Sequence, residues 1–192
     1  MIDPTSRLPR KAYAFVMTLS YSRLRFVYFV FRQDTAAWIE CHVQAFNFFG
    51  CVPSTILLDN LKAGVLSPDI YDPTINPVYA DLEKHYKFIA DPAKVREPSH
   101  KGRVERSIPI VRQQLIAGRH YGDIIAANEY AKSWAKEEIA HRVTRTTGET
   151  PWTRFIRDER SHMLSLPENE FDCPIWQKAK VHRDQHIEIG RA

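Results

Sequence analysis

The amino-acid sequence predicts an α/β domain built on a mixed sheet, and two patterns lead to this class. Two aromatic and β-branched runs, residues 12–20 and 25–31, are joined by a short connection at Ser22 and Arg23, which is typical of a hairpin. Residues 33–59 then follow the strand–helix–strand order of a parallel crossover. A hairpin followed by a crossover gives a sheet with both antiparallel and parallel neighbours.

The crossover helix has local signals at both ends. Asp34 or Thr35 can cap its first turn, apolar residues recur at helical spacing to about Phe49, and Gly50 is placed to end it. Residues 55–58 are then predicted to form a short buried strand, because they are apolar and bounded by turn residues.

The middle of the chain is predicted to be a loop followed by a second helix. Residues 64–75 contain two prolines and two aspartates, which favour a loop. Asn76 followed by Pro77 is typical of a helix start, and this helix is expected to run to about Tyr86. Residues 88–90 are predicted to form a brief strand.

Helices dominate the C-terminal half of the predicted domain. Residues 101–115 are expected to be helical, and residues 123–141 form another amphipathic helix. The apolar stripe of the first helix consists of Val104, Ile108, Val111 and Leu115. Pro109 removes a backbone donor inside it, so we expect a kink or a break there. After Leu166 the pattern changes to a linker and a small β module.

The composition is that of an ordinary globular protein. Hydrophobic residues make up 44% of the chain and charged residues 26%. The longest apolar stretches, such as residues 26–31, are too short to cross a bilayer, and the N-terminus has no apolar signal core, so the cytoplasm is the expected location. Cys41, Cys51 and Cys173 lack the paired spacing of a zinc site and are expected to be buried or idle thiols.

Positive charge is concentrated in one part of the chain. The net charge is +4, but residues 94–119 alone contain seven Lys or Arg against two Glu. A solvated helix face would explain this cluster, as it explains most charge runs. Because the cluster surrounds Glu105, we favour a surface that faces phosphate groups.

Two carboxylates stand where a metal site could form. Asp59 ends a predicted strand, and Glu105 lies among basic side chains on a predicted helix. Carboxylates beside positive charge suit a divalent metal that acts on phosphate. The alternatives are a turn aspartate bonded to its own backbone and a surface pair between Glu105 and Lys101 or Arg112.

Four motifs carry a resemblance to a known family. They are AYAFVMTLSYSR (12–23), FFGCVPSTILLDNLKAGV (48–65), HKGRVERS (100–107) and TTGETPWTRF (146–155). In their order and spacing, over about residues 10–189, the chain resembles the IstA branch of bacterial insertion-sequence transposases. The resemblance implies a retroviral-integrase-like catalytic core of the RNase H-like fold. It also implies three acids, Asp, Asp and Glu, that hold two Mg²⁺ ions, or Mn²⁺, for cutting and joining DNA strands.

The resemblance assigns roles to individual residues. Asp59 matches the second acid and Glu105 the third, and both are expected to be catalytic metal ligands. The residues expected to contact DNA are Asn60, Lys62, His100, Lys101, Arg103, Arg106 and Arg112. The implied partners are transposon ends and target DNA, further copies of the protein, and a helper ATPase. A bacterial, cytoplasmic protein that joins the nucleoid when bound to DNA is implied as well.

The chain departs from the family pattern at the first acid. In the family this acid lies in a run like Val-Asp-Phe-Gly before the first motif, whereas here Asp3 is followed by Pro4 and is expected to be a turn residue. We therefore expect residues 1–160 to form a catalytic core without its first acidic strand, and residues 161–192 a linker with part of a β module. Such a fragment is expected to be impaired in catalysis. The alternatives are a DNA-binding remnant without activity and a metal-dependent nuclease of the same fold.

Overall fold

The two aromatic runs near the N-terminus form the predicted hairpin. The computed structural model describes residues 1–58, 65–67, 74–92 and 107–174. Strand β1 spans Tyr13–Thr18 and strand β2 spans Arg25–Val30, and they pair antiparallel with Val16 opposite Val27. The backbone N–H of Leu19 donates to the carbonyl of Leu24 at 2.9 Å and closes the connection.

The hairpin is covered on both faces, as its nearly unbroken apolar sequence predicts. Because side chains alternate along a strand, Met17 and Phe26 point to one face and Val27 and Phe29 to the other. The first face packs in the main core with the crossover helix. The second packs in a smaller core with helices from the C-terminal half.

Helix α1, Thr35–Phe49, has the predicted ends. The side chain of Asp34 accepts a hydrogen bond from the backbone N–H of Ala37 at 2.9 Å, so Asp34 is the N-cap. Gly50 ends the helix in the left-handed conformation, with φ of 67°, and its N–H donates to the carbonyl of Phe46 at 2.8 Å.

The buried strand predicted at residues 55–58 is confirmed, but the predicted parallel crossover from the hairpin to this strand is not seen among the described residues. Strand β3, Thr55–Leu58, pairs parallel with a later strand, so the chain crosses over between them. The prediction that residues 64–75 are only a loop is wrong, because strand β4, Val65–Ser67, pairs antiparallel with strand β5, Thr74–Ile75. Strands of two or three residues are too short for alternation to reveal them in a sequence.

Helix α2, Pro77–Tyr86, begins as predicted with Asn76 as N-cap and Pro77 at the first helical position. Strand β6, Ile89–Pro92, follows and is the parallel partner of β3. The predicted strand at 88–90 is therefore one residue early at its start. Phe88 precedes the strand and is buried in the main core.

The next helix differs from its prediction in two ways. Helix α3 comprises an α-helical part, Ser107–Val111, and a wider π-helical part, Arg112–Ile116, so the expected break at Pro109 is wrong. The helix continues through Pro109 and its winding widens three residues later, at Arg112. The backbone bond that Pro109 cannot make would reach residue 105, which lies outside the described residues. Ile108 is 47% exposed and Ser107 is buried in its place. Residues 101–106 of the predicted helix lie outside the described part.

Two further helical segments complete the described part of the chain. Helix α4 is α-helical over Ile124–Ser133 and π-helical over Trp134–Ile139, within the helix predicted at residues 123–141, and Asp123 is its N-cap. Helix α5 begins at Pro151 and continues through His162 with changing winding. Most of the predicted β module, residues 175–192, lies outside the described residues. None of the described helices is long and apolar enough to cross a membrane.

His42 is buried in the main core between α1 and α2. One ring nitrogen, Nδ1, lies 2.9 Å from the carbonyl of Trp38, and Nε2 lies 3.1 Å from the hydroxyl of Tyr79. A carbonyl only accepts, so Nδ1 carries the proton and Nε2 accepts from Tyr79. Burial lowers the pKa of His42 to about 4. The neighbouring Cys41 is also buried, as the sequence predicts.

The buried neutral state of His42 predicts a loss of stability in acid. Since the pKa of His42 is lower in the folded than in the unfolded chain, the unfolded chain gains a proton first as pH falls below about 6.5. We expect the free energy of unfolding to fall by about 2 kcal/mol from this group between pH 7.5 and pH 5. Urea titrations of wild type, His42→Gln and the exposed-site control His120→Gln would measure it. An equal pH slope in His42→Gln and wild type would contradict the assignment.

The left-handed end of α1 predicts a specific effect of a methyl group. Nothing lies within 4 Å of a Cβ added at Gly50 or at Gly122, but only Gly50 has a positive φ. We expect Gly50→Ala to lower the free energy of unfolding by about 1 kcal/mol through backbone strain. Gly122→Ala should leave stability unchanged or slightly raised. Equal effects of the two substitutions in thermal unfolding would exclude strain as the cause.

Candidate metal and nucleic-acid site

Most of the predicted site residues lie outside the part that the structure describes. These residues are Asp59, Asn60, Lys62, His100, Lys101, Arg103, Glu105 and Arg106. Arg112 is described and is exposed on α3, where the winding of the helix widens. The geometry of the candidate site therefore comes from the described residues that adjoin the two acids along the chain.

Asp59 directly follows the last residue of β3. The side chains of Ile56 and Leu58 are buried in the main core, together with Ala90 of β6. Leu58 lies opposite Pro92, so β3 and β6 end at the same level. The carboxyl ends of parallel strands are where functional groups commonly gather in α/β proteins.

The opposite face of this strand pair is open among the described residues. Thr55, Ile89 and Asp91 are exposed there, and Leu57 is half-buried. Ile89, with 66% of its surface exposed, is a large apolar side chain on this face. Because the other face is packed in the main core with α1, a ligand could approach only from the open side.

Ser107 is the first described residue of α3, is hydrogen-bonded to the hairpin, and lies two residues after Glu105. Its side chain is 1% exposed. Its Oγ accepts hydrogen bonds from Oγ1 of Thr18 at 3.0 Å and from Nε of Arg25 at 3.3 Å. Thr18 ends β1 and Arg25 begins β2, so the first described residue of α3 lies at the connected end of the hairpin.

The described part of α3 lies on the face of the hairpin that is turned away from α1. Val27 follows Arg25 by two residues and packs with Val111 and Leu115 of α3 in the smaller core. The segment that follows Glu105 is therefore held against the sheet by buried hydrophobic contacts as well as by Ser107. No sequence pattern indicates Ser107 or Arg25 as site residues, although Ser107 ends the third motif.

The connection between β1 and β2 is itself tied to α5. The carboxylate of Glu159 accepts from the backbone N–H groups of Tyr21 at 3.2 Å and Ser22 at 3.1 Å. The hydroxyl of Tyr21 donates to Asp158 at 2.8 Å, and the guanidinium of Arg154 lies 4.3 Å from the centre of the Tyr21 ring. These contacts hold the connection in place beside Arg25.

A strong ion-pair cluster supports this part of α5. Arg157 pairs with Glu149 at 2.6 Å and with Asp158 at 2.8 Å. The hydrogen bond from Arg157, followed by that from Tyr21, lowers the pKa of Asp158 to about 2. Asp158 is therefore ionised at neutral pH and accepts from Tyr21 as a carboxylate.

Asp3 lies in a turn at the other end of the hairpin. One carboxylate oxygen accepts from the backbone N–H of Thr5 at 2.9 Å, and the other pairs with Arg10 at 2.6 Å, which lowers the pKa of Asp3. The guanidinium of Arg10 lies over the ring of Phe31, which follows β2. Ser107 contacts Arg25 at the start of β2, and the six residues of β2 span roughly 17 Å. Ser107 thus contacts one end of this strand, whereas Asp3 is linked through Arg10 to the residue that follows its other end.

The described ranges contain no group of three or more His, Cys, Asp or Glu side chains that could hold a metal ion. Among the cysteines, Cys41 and Cys51 are buried and Cys173 is half-buried, and all three are free thiols, as predicted. Asp59 and Glu105 remain the candidate ligands. Their carboxylates are the hard oxygen donors that Mg²⁺ prefers.

Comparison with known proteins places this arrangement in a family. Residues 2–98 match the integrase core domain, a range that includes Asp59 and ends before Glu105. A candidate transposase of Mycobacterium tuberculosis is 39% identical over 191 residues, covering 99% of this chain and 47% of that protein. The transposase of insertion sequence element IS21 from Pseudomonas aeruginosa is 31% identical over 176 residues, covering 91% and 45%. The chain spans about half the length of these relatives.

Solved structures agree on the fold. The catalytic core domain of BIV integrase superposes with a TM-score of 0.58 at 15% identity, covering 79% of this chain and 90% of that one. The HTLV-2 integrase catalytic core domain in complex with magnesium has a TM-score of 0.50 at 16% identity, covering 74% and 91%. The predicted α/β, RNase H-like fold and the predicted resemblance to insertion-sequence transposases are confirmed. The chain belongs to the integrase core domain family.

Proposed function

We propose that this chain supplies two of the three carboxylates of a metal-dependent site that cuts and joins DNA strands in transposition. Asp59 and Glu105 are the two ligands. The observation that carries the proposal is the buried Ser107, which holds the segment just after Glu105 on the sheet face turned away from α1. Family membership adds the type of reaction.

Chain connectivity limits how far the acids can lie from the described residues. Successive Cα atoms are about 3.8 Å apart, so the Cα of Glu105 lies within about 7.6 Å of that of Ser107. By the same reasoning Asp59 lies one such step beyond Leu58, at the end of a buried strand. Both acids are thus attached to elements that the core holds firmly.

Magnesium is the metal that best fits these ligands, with Mn²⁺ as its substitute. The related HTLV-2 core was solved with magnesium, and two carboxylates offer only oxygen donors. When bound, two such ions would favour attack by one oxygen and departure of another at a DNA phosphate. The residues proposed to contact the DNA backbone are Asn60, Lys62, His100, Lys101, Arg103, Arg106 and Arg112. Arg112 is exposed and free to reach a ligand.

We further propose that the chain is impaired in catalysis, because the first acid is absent from residues 1–160. Asp3 is the only acid before β1, and its contacts at the far end of the hairpin argue against a role beside Glu105. Residues 161–192 would be the linker and the partial β module. Transposon ends and target DNA, self-association, a helper ATPase and a cytoplasmic, nucleoid-bound location belong to the same proposal.

DNA binding without catalysis is the second candidate function. The excess of Lys and Arg over residues 94–119 favours it, because basic clusters bind phosphates whether or not a metal site is complete. A nuclease of the same fold is the third candidate. It would cut DNA and yield no joined product, so the products of the reaction distinguish the candidates.

Metal binding tests the two proposed ligands directly. We expect Asp59→Asn and Glu105→Gln to weaken Mn²⁺ binding about tenfold or more, since even loss of groups that only support ligands has effects of that size. Asp3→Asn should leave Mn²⁺ binding unchanged. The measurement is the free Mn²⁺ signal in electron paramagnetic resonance titrations. Unaltered Mn²⁺ affinity in both ligand variants would refute the assignment of Asp59 and Glu105.

Activity is tested with labelled DNA ends and a target plasmid in Mg²⁺ or Mn²⁺. We expect DNA binding that weakens with salt, and little or no joined product from this chain, because two carboxylates hold two metal ions poorly. Robust strand transfer that is abolished by Glu105→Gln and unchanged by Asp3→Asn would show that a third acid is not required. Cut DNA without joined DNA would favour the nuclease.

A further inference from the structure

Arg25 is a half-buried guanidinium with an unusual set of neighbours. Its Nε donates to Ser107 at 3.3 Å, and among the described residues no carboxylate pairs with it. The positive charge of Arg23 also acts on it. Burial, followed by the charge of Arg23, lowers the pKa of Arg25 below its ordinary value. Arginine nevertheless stays protonated, so a positive charge remains in this place.

Three other arginines of the described part differ from Arg25 because each is paired with a carboxylate. Arg10 pairs with Asp3, Arg32 with Asp34, and Arg157 with both Glu149 and Asp158. Partial burial of a charge without a counter-charge has a cost. Four of the five N–H donors of Arg25 have no acceptor among the described residues, and its terminal nitrogens are not fully buried, so they remain open to a ligand. An anion beside Arg25 would offset this cost.

The position of Arg25 indicates which anion. Its partner Ser107 begins the described part of α3 and lies two residues after Glu105, and the connection beside Arg25 is held by Glu159. A guanidinium presents its donors in a planar fork that fits two oxygens of one phosphate. Ser107 accepts from Nε and thereby leaves the two terminal nitrogens for the anion.

We propose that Arg25 binds a backbone phosphate of the DNA strand that enters the Asp59–Glu105 site, and that Ser107 holds its guanidinium in position. The inference rests on the proposed function for the identity of the anion as DNA. It adds a contact from the β1–β2 hairpin, which none of the four sequence motifs assigns to DNA. Arg25 then links the hairpin, the start of α3 and the bound strand.

Arg32 provides a matched control for the test. Arg25 begins β2 and Arg32 follows its end, so Arg25→Gln and Arg32→Gln each remove one positive charge from opposite ends of one strand. The measurement is the Kd for a duplex of about 30 base pairs by fluorescence anisotropy, without divalent metal, at several KCl concentrations. We expect Arg25→Gln to reduce the slope of log Kd against log salt by about 0.9, the effect of losing one phosphate contact. Arg32→Gln should leave the slope close to that of wild type.

A conservative variant keeps the test decisive if Arg25→Gln does not fold, which circular dichroism would report. Lysine keeps the charge without the fork, so Arg25→Lys should retain the salt slope and bind DNA several-fold more weakly, whereas Arg32→Lys should match wild type. Equal slopes and equal affinities in the Arg25 and Arg32 variants would overturn the proposal.

Two other outcomes separate this proposal from the function on which it rests. If Arg25 serves Glu105 instead of DNA, Arg25→Gln and Glu105→Gln would be non-additive in their effects on unfolding, and the salt slope would stay at its wild-type value. That result would overturn the phosphate contact and leave the proposed function intact. Failure of wild type to bind the duplex even at about 50 mM KCl would overturn both.

Discussion

The packing of helix α1 is the interaction on which the rest of the described structure depends. The hairpin β1–β2 and the parallel pair β3–β6 share no hydrogen-bonded ladder within the residues that the structure describes. They are joined through a single core in which side chains of α1 contact both. Aromatic rings of α1 show this directly. Trp38 and His42 lie near Phe15 of β1, and Phe46 lies near Phe88, which precedes β6.

His42 fills space in this core and also makes directional hydrogen bonds within it. Its ring can be satisfied only as the neutral tautomer that donates to Trp38 and accepts from Tyr79, and this fixes α1 relative to α2. Apolar contacts alone would allow small shifts of one helix against the other. The hydrogen bond from Tyr79 to His42 joins the two helices, and its directional geometry selects one arrangement.

The face of the hairpin turned away from α1 is the one that holds the segment following Glu105. The described part of α3 packs on that face, and Ser107 accepts hydrogen bonds from both strands of the hairpin. Glu159 holds the connection between these strands, so the segment after Glu105 rests on a support that α5 stabilises. A metal site needs ligands held within a fraction of an ångström, and such support is the physical requirement for it.

The features that were predictable from the sequence depend on interactions between residues that are close together in the chain. The hairpin and the caps of α1 and α2 depend on neighbours a few residues apart, and they were predictable. Asp59 and Glu105 were selected by motifs and lie outside the described residues. The pairing of β4 with β5 and the burial of Ser107 where Ile108 was expected are visible only in the folded structure. The same is true of Arg25, which lies beside Ser107 without a carboxylate partner among the described residues. Residues 25 and 107 are 82 positions apart, and no local pattern encodes a contact that forms only when the core brings two distant segments together.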